Sequence, residues 1–181
     1  MQIGDKIVFD KYKWRVLDVQ NDKALLLCDK VLEIRPYHKD FIDITWEQCT
    51  LRQFLNSDFF NLFNLADRSR IVKSTVSNAK NPKYDTDGGV DTSDYVFLLS
   101  VGEVIQYFGD FWQYYGAWKD DPYKNARRVK NASGVYSWWW LRSTGIHNKN
   151  AVYINGVGRV FVGGDSVHRS GGVRPALWLR T

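Results

Sequence analysis

The chain has few cysteines, few prolines and no long run of apolar residues. Cys28 and Cys49 lack the CxxC spacing of a zinc site or a redox pair, so we interpret both as small core residues. A disulfide between them stays open at this point. No segment reaches the roughly 20 apolar residues of a membrane-spanning helix, which predicts a chain with no membrane span. The first residues, MQIGDKIVF, also lack the charged head and apolar run of a secretory signal.

The sequence also lacks the motifs by which common enzymes are recognised. GxSxG, HExxH, P-loop and GxGxxG patterns are absent. The three histidines, His38, His147 and His168, have no carboxylate or nucleophile at a catalytic spacing. These absences favour a protein that is not an enzyme, and they predict neither a catalytic residue nor a cofactor.

Positive charge exceeds negative charge, but it is not concentrated in one place. The net charge is +5, and only two short clusters of basic residues occur. The clusters contain Arg68, Arg70, Arg127, Arg128 and Lys130. We interpret them as a solvated basic face, and without a nucleic-acid motif we do not expect nucleic acid as a partner.

Length and apolar content predict a single domain over residues 1–181. The 181 residues are 44% hydrophobic, which supplies one core and is too short to favour two domains. Eight tryptophans and ten each of tyrosine and phenylalanine exceed what an ordinary core needs. Some of these aromatic residues are therefore expected at a surface that binds a partner.

Apolar periodicity predicts an α+β fold with antiparallel strands and two main helices. A strand meander is expected over 1–35, with turns after the first and second strands. One helix is predicted after it, capped by Thr45 or Thr50, and another over 101–108. The apolar stretch YVFLLS, residues 95–100, is expected to be a strand.

The segment 138–180 has the most specific pattern, an alternation of apolar and polar residues between glycine turns. The apolar positions, which we expect in the core, are Val152, Ile154, Val157, Val160 and Val162. The intervening residues, which we expect to face solvent, are Tyr153, Asn155, Arg159 and Phe161.

Two sequence motifs enclose this hairpin: WWLRS from Trp139 to Ser143, and GVRPALWL from Gly172 to Leu179. They resemble the C-terminal signature of a bacterial and phage domain family of unknown function. The same layout resembles the variable proteins of diversity-generating retroelements, whose C-type-lectin fold is akin to that of formylglycine-generating enzymes. The resemblance extends upstream over most of the chain and implies a C-type-lectin-like single domain, with 138–180 as its hairpin and signature strands.

The chain departs from two well-known users of that fold. Formylglycine-generating enzymes use a cysteine pair late in the chain, whereas Cys28 and Cys49 lie early. The sequence motifs with which C-type lectins bind calcium and sugar are absent as well. The resemblance therefore implies a non-enzymatic ligand-binding or display protein. Together with the chain start it also predicts a protein of the cytoplasm or of a phage particle, unless a leader has been removed.

The candidate ligand-binding residues are the polar and aromatic side chains of the hairpin. Retroelement variable proteins diversify codons that contain adenine, and most of these residues are among the resulting types, although Lys149 is not. The predicted set is His147, Asn148, Asn150, Tyr153, Asn155, Arg159, Phe161, Asp165, His168 and Arg169. The implied partner is a protein or another surface ligand, and the oligomeric state is left open.

Two arginines are expected to be structural, and one loop is a candidate metal site. Arg142 and Arg174 lie within apolar signature words, where a guanidinium can tie loop carbonyls or a carboxylate together. Asp85, Asp87 and Asp91 surround a Gly-Gly turn, an arrangement that suits calcium but lacks the bidentate Glu of an EF-hand. We predict an Asx-turn loop without metal, and calcium stays open as the alternative.

Two further alternatives use the aromatic segment 109–123. The first is an enzyme or cofactor binder whose cleft this segment lines. The second is a carbohydrate-binding module whose exposed rings come from Trp112, Tyr114, Tyr115 or Trp118.

Overall fold

The computed structural model describes residues 1–116 and 120–181, and two five-stranded sheets form its frame. The first sheet has the order β1-β2-β3-β14-β5 and is antiparallel throughout. Its strands are β1 (Lys6–Phe9), β2 (Tyr12–Gln20), β3 (Lys23–Cys28), β5 (Ile71–Val72) and β14 (Ala176–Arg180). The predicted N-terminal meander is thus closed by the last strand of the chain.

The second sheet contains the C-terminal hairpin and has the order β12-β11-β10-β13-β4. Its strands are β4 (Glu33–Pro36), β10 (Trp139–Thr144), β11 (Asn150–Ile154), β12 (Val160–Ser166) and β13 (Ser170–Val173). Strands β10 and β13 run parallel, with Trp139 opposite Gly172, and the other pairs are antiparallel. Two ribbons flank the sheets: β6 (Ser74–Val76) with β7 (Thr92–Asp94), and β8 (Val129–Lys130) with β9 (Tyr136–Ser137).

The α-helices of the described residues are four and short, so the fold is α+β and mostly sheet, which confirms the predicted class. They are α1 (Thr50–Phe54), α2 (Leu65–Arg68), α3 (Val101–Phe108) and α4 (Lys124–Arg127). A π-helical turn, Leu55–Phe59, extends α1, and 3₁₀ turns lie at Trp46–Gln48 and Trp112–Tyr114. The predicted bounds of α3 are confirmed. Ser100 and Glu103 form a capping box at its start.

The predicted cap of α1 was wrong. Cys49 occupies the N-cap position, and its Sγ accepts a hydrogen bond from the Arg52 amide at 3.4 Å. Thr45 precedes the 3₁₀ turn and makes no capping bond, while the Thr50 hydroxyl accepts a hydrogen bond from the Lys39 amide. Thr50 therefore links the helix to the loop before it.

The predicted strand over 95–100 is not a regular strand. Its apolar residues are buried, but it forms only one isolated bridge, between Phe97 and Ala176. Arg142 binds two backbone carbonyls of this segment: its Nη1 donates to the Leu98 carbonyl and its backbone amide donates to the Leu99 carbonyl. The Asn56 side chain also donates to the Val96 carbonyl and accepts from the amides of Tyr95 and Val96, so these backbone groups are not available for a strand ladder.

Two positions differ from the expected burial. Val157 is 53% exposed, because it lies in the turn between β11 and β12 and not on a strand. Arg127 is fully buried and pairs with Asp121, so it does not belong to a solvated basic face. In both cases the sequence pattern of the neighbouring residues continues where the chain turns or folds back, so the pattern does not indicate the change in burial.

The signature strands contribute a large part of the core. Trp139, Leu141, Val173, Ala176 and Leu177 are all buried. The predicted roles of the two cysteines are also confirmed, since Cys28 and Cys49 are buried free thiols. Burial raises the pKa of Cys28 to about 11 and that of Cys49 to about 12.

The two signature arginines tie segments together. Arg142 donates to the carbonyls of Leu98 and Ser77 and pairs with Glu103, which joins β10 to the start of α3. Arg174 donates through Nε to the Cys28 carbonyl at 2.9 Å, and its guanidinium lies 4.8 Å from the Trp139 ring centroid. Their predicted structural role is confirmed.

Candidate functional site

One end of the second sheet brings together four loop segments, which we call the loop end: residues 38–44, 85–91, 145–150 and 166–169. Their main chains are joined by hydrogen bonds between segments. The Ile44 amide donates to the Asn148 carbonyl at 3.1 Å, and the Val167 amide donates to the Lys149 carbonyl at 3.0 Å. The Thr86 hydroxyl donates to the Ile146 carbonyl at 3.0 Å. Backbone bonds therefore join segments 38–44 and 166–169 to segment 145–150, whereas side-chain bonds, such as that of Thr86, join segment 85–91 to it.

Exposed side chains project from this fixed backbone. His147, Lys149 and His168 are exposed, and all three belong to the loop end. The side chain of Phe41 is 54% exposed and meets the His168 ring edge to face at 4.9 Å between centroids. The Lys149 ammonium lies 5.6 Å from the same phenyl ring, within the range of a cation–π contact. The loop end therefore combines an exposed aromatic ring with cationic and imidazole groups.

Four members of this surface are outside the set predicted from the sequence. Phe41 and Ile42 are exposed apolar neighbours between Asp40 and Asp43, Ile146 is exposed in the 145–150 loop, and Lys149 does not match the residue types of the retroelement pattern. The available signal for Phe41 and Ile42 was an apolar pair between acidic residues in a loop, because charged neighbours on both sides favour the surface.

Two of the predicted residues hold the loop end together instead of projecting from it. Asn148 donates through Nδ2 to the Asp87 carbonyl at 2.8 Å, which links the 145–150 loop to the 85–91 loop. Asn150 is half-buried at the start of β11, where its amide donates to the His147 carbonyl at 2.9 Å. The Asn148 side chain therefore joins two of the loops, and the Asn150 backbone closes the turn over 147–150.

Asn81 is a buried anchor that the sequence analysis did not identify. Its Nδ2 donates to the carbonyls of Thr144 and Val162, at 2.7 and 2.9 Å. Its Oδ1 accepts hydrogen bonds from the amides of Lys83 and Tyr84. The loop before residue 85 is thereby fixed to β10 and β12. The Asn-Pro pair at 81–82 was a turn signal, but a turn signal does not disclose long-range partners.

Tyr153 and Phe161 lie on the face of the second sheet. They are opposite each other on β11 and β12, and their rings stack with centroids 4.8 Å apart and planes 9° apart. Phe161 is exposed and Tyr153 is half-buried. Burial, with a smaller effect of nearby Asp165, raises the pKa of Tyr153. The predicted solvent-facing orientation of this pair is confirmed.

Asp165 and Arg169 stand between the sheet face and the loop end. Asp165 pairs with Arg169 at 2.8 Å, and its other oxygen accepts a hydrogen bond from the Ser166 amide. Asp165 lies opposite Ala151, two residues before Tyr153 on β11. The loop end and the aromatic part of the sheet face are therefore neighbouring surfaces.

Asn155 and Arg159 lie away from the other predicted residues, at the opposite end of the β11–β12 hairpin. Asn155 Oδ1 accepts hydrogen bonds from the amides of Val157 and Arg159, so its side chain closes its own turn. Arg159 is exposed; the pKa of Asp120 is lowered mainly by its hydrogen bond and ion pair with Lys124, and to a smaller extent by the charge of Arg159. The structure thus distributes the predicted set over two ends and a sheet face.

The acidic loop uses its carboxylates in local contacts. Asp85 pairs with Lys80 at 3.1 Å, Asp87 accepts from the Gly89 amide at 3.1 Å, and Asp91 accepts from the Asn78 amide at 2.9 Å. Within residues 1–116 and 120–181, no three His, Cys, Asp or Glu side chains are placed to hold a metal ion.

The aromatic segment 109–123 packs onto the core where the structure describes it. Phe111 is buried, and Trp112 and Tyr115 are half-buried against it. Burial, with a further contribution from Tyr84, raises the pKa of Tyr115 to about 12. Tyr114 is half-buried, and Trp118 lies outside the described residues.

The fold and its exposed loop end define a mostly-sheet α+β domain with its candidate contacts at one end. A family model described as a domain of unknown function, DUF6273, matches residues 21–181, and the chain belongs to this family. The first strands lie before the matched region, yet β2 pairs with β3 from Trp14 to Gln20 and completes the first sheet. No curated protein and no solved structure matches the chain. In the part of the chain that the structure describes, no helix is long and apolar enough to cross a membrane.

Proposed function

We propose that the protein is a non-enzymatic ligand-binding domain that presents its contact residues at the loop end. One observation carries this proposal: the groups that fix the loops by hydrogen bonds are different from the side chains that face solvent. Backbone hydrogen bonds and the side chains of Asn81, Thr86 and Asn148 fix the loops. His147, Lys149 and His168 project outward without being needed for those bonds. Such a surface can change its side chains while its backbone stays in place.

The chemistry of the exposed groups suits a macromolecular surface. The Phe41 ring supplies apolar area at low rotamer cost, while the imidazole and ammonium groups around it supply adaptable hydrogen bonds. Exposed Ile42 and Ile146 extend the apolar part. A protein or another broad surface is the partner that such a mixture of aromatic, aliphatic and cationic groups fits best.

A retroelement variable protein with a C-type-lectin-like scaffold is the particular form of this proposal. It rests on the resemblance of WWLRS and GVRPALWL and on the placement of His147 and His168 at one exposed end. The gene neighbourhood tests it. We expect a reverse transcriptase gene and a near-copy of the last stretch that differs at adenines. A neighbourhood without either contradicts the retroelement form and leaves the ligand-binding proposal standing.

Site-specific crosslinking tests the ligand-binding proposal itself. A photoreactive side chain is placed at Lys149 or His168, and, as a matched control, at exposed Asn125 or Ser133 outside the loop end. In cells that produce the protein, we expect discrete adducts from the loop-end positions and none from the controls. Equal adduct patterns from both sets, or none from either set, contradict the proposal.

A further inference from the structure

The second sheet carries an aromatic face, which we define as Trp138, Trp140, Tyr153 and Phe161. Strand register pairs Trp140 with Tyr153 and Tyr153 with Phe161, so these three side chains share one face of adjacent strands. The Trp138 ring meets Trp140 at 4.8 Å and Tyr153 at 5.2 Å between centroids, edge to face in both cases. The four rings thus form one continuous cluster.

Three of these rings reach solvent. Trp140 is fully buried and packs against Tyr37, whereas Trp138 and Tyr153 are half-buried and Phe161 is 41% exposed. Trp140 therefore anchors the cluster, and the other three rings offer apolar surface. A patch of this kind on a folded domain commonly marks a binding site.

A glycine under the cluster holds one ring in position. A Cβ at position 171 would overlap the Trp138 indole and Nε1 of Trp140, so the indole lies directly over the Gly171 backbone. The edges of Trp140 and Tyr153 hold the ring from the side. The indole is thus fixed in place before any ligand arrives, which lowers the entropy cost of binding.

Two ion pairs flank the aromatic face. On β4, Glu33 pairs with Arg35 at 2.9 Å, and Arg35 lies opposite Gly171 in the register. On the other side, Asp165, which lies on β12 with Phe161, pairs with Arg169 at 2.8 Å. Each pair cancels its own charge while keeping donors and acceptors free for further hydrogen bonds. The flanks therefore favour a neutral ligand that is rich in hydroxyl groups.

We propose that the aromatic face binds a neutral oligosaccharide. A pyranose ring has apolar C–H faces, which attract the negative faces of aromatic rings, and a rim of hydroxyls, which the flanking ion pairs can bind. An apolar peptide would cover the same rings but would desolvate Glu33–Arg35 and Asp165–Arg169 without replacing their lost water contacts. Five strands separated by about 4.8 Å span about 19 Å, which suits a short chain of sugars better than a single ring.

Calorimetric titration with three probes tests this site: linear hexasaccharides of glucose, of mannose and of N-acetylglucosamine. We expect at least one to bind, and Phe161→Ala to weaken it at least about tenfold. Phe41→Ala is the matched control, because it removes an exposed phenyl ring of the same kind, but from the loop end. It should leave the affinity for the sugar within about twofold. Trp138→Ala should also abolish sugar binding. If the Trp138→Ala variant does not fold, the affinity of Phe161→Ala tests the proposal alone.

Each of the following three results contradicts the proposal that the aromatic face binds an oligosaccharide. Absence of binding by all three sugars up to about 10 mM excludes the saccharide. Equal weakening by Phe161→Ala and Phe41→Ala places the sugar elsewhere. Loss of a protein partner, but not of a sugar, on Phe161→Ala makes the face a protein interface. Because the loop-end variants serve only as controls here, failure of this site leaves the loop-end proposal untouched.

Discussion

Replacing Trp139 by alanine tests how the signature strand holds the core. The indole is fully buried, its Nε1 donates to the Arg127 carbonyl at 3.2 Å, and its face supports the Arg174 guanidinium at 4.8 Å. Truncation of a buried tryptophan costs about 3–5 kcal/mol of unfolding free energy. The upper part of that range is expected, because the variant also leaves a buried carbonyl without its donor and a buried cation without its ring.

Denaturant titration and thermal melts measure this cost. For a chain of this length, each kcal/mol shifts the melting temperature by about 2–4 °C, so Trp139→Ala should lower it by about 6–20 °C. Trp139→Phe keeps most of the volume and the face beneath Arg174 but loses the N–H, and should cost about 1–3 kcal/mol. A loss below about 1 kcal/mol for Trp139→Ala would refute the assignment of this ring to the core.

Three further outcomes follow from the buried groups and the acidic loop. Cys28 and Cys49 have pKa values raised from 9.0 to about 11 and about 12, so a thiol reagent at about pH 8 should label both only after unfolding. Labelling of the native protein would contradict the buried positions of the two thiols. The protonated thiols contribute to the free energy of unfolding fully below pH 9.0, and this contribution is lost as the pH rises towards their pKa values in the folded protein. Calcium or a chelator should leave the melting temperature unchanged, and a calcium-dependent rise reversed by Asp87→Ala would contradict this. Glu103→Gln keeps a capping acceptor but removes the charge that pairs with Arg142, and chemical denaturation should show a loss of about 1–3 kcal/mol; an unchanged midpoint would contradict the pairing.

Elements specified by neighbouring residues could be predicted from the sequence. The apolar spacing of 101–108 and the Ser100–Glu103 box determine α3 locally, and the structure has the predicted bounds. The alternation in β11 and β12 likewise predicted the outward orientation of Tyr153 and Phe161. In these cases the information lies within a few residues of the element itself.

Features that depend on distant partners could not be predicted in the same way. The basic run predicts a solvated Arg127, whereas its guanidinium binds the Asp121 carboxylate and the Gly158 carbonyl. Asn155 continued the apparent alternation, although its side chain closes a turn. The loop end required the pairing of β4 with β13, which brings the 38–44 loop beside residues 166–169. Local patterns do not disclose such tertiary contacts.

The most direct test of the account compares the exposed side chains of the loop end with Asn81, the buried side chain that anchors the adjoining loop. In the first variant, His147, Lys149 and His168 are all replaced by serine; in the second, only Asn81 is replaced by alanine. We predict a loss below about 1.5 kcal/mol for the triple variant, since exposed substitutions cost within about 0.5 kcal/mol each. Asn81→Ala should lose more, because it leaves the buried carbonyls of Thr144 and Val162 without donors. A triple variant that unfolds, or that loses more free energy than Asn81→Ala, would contradict a loop end fixed independently of its exposed side chains.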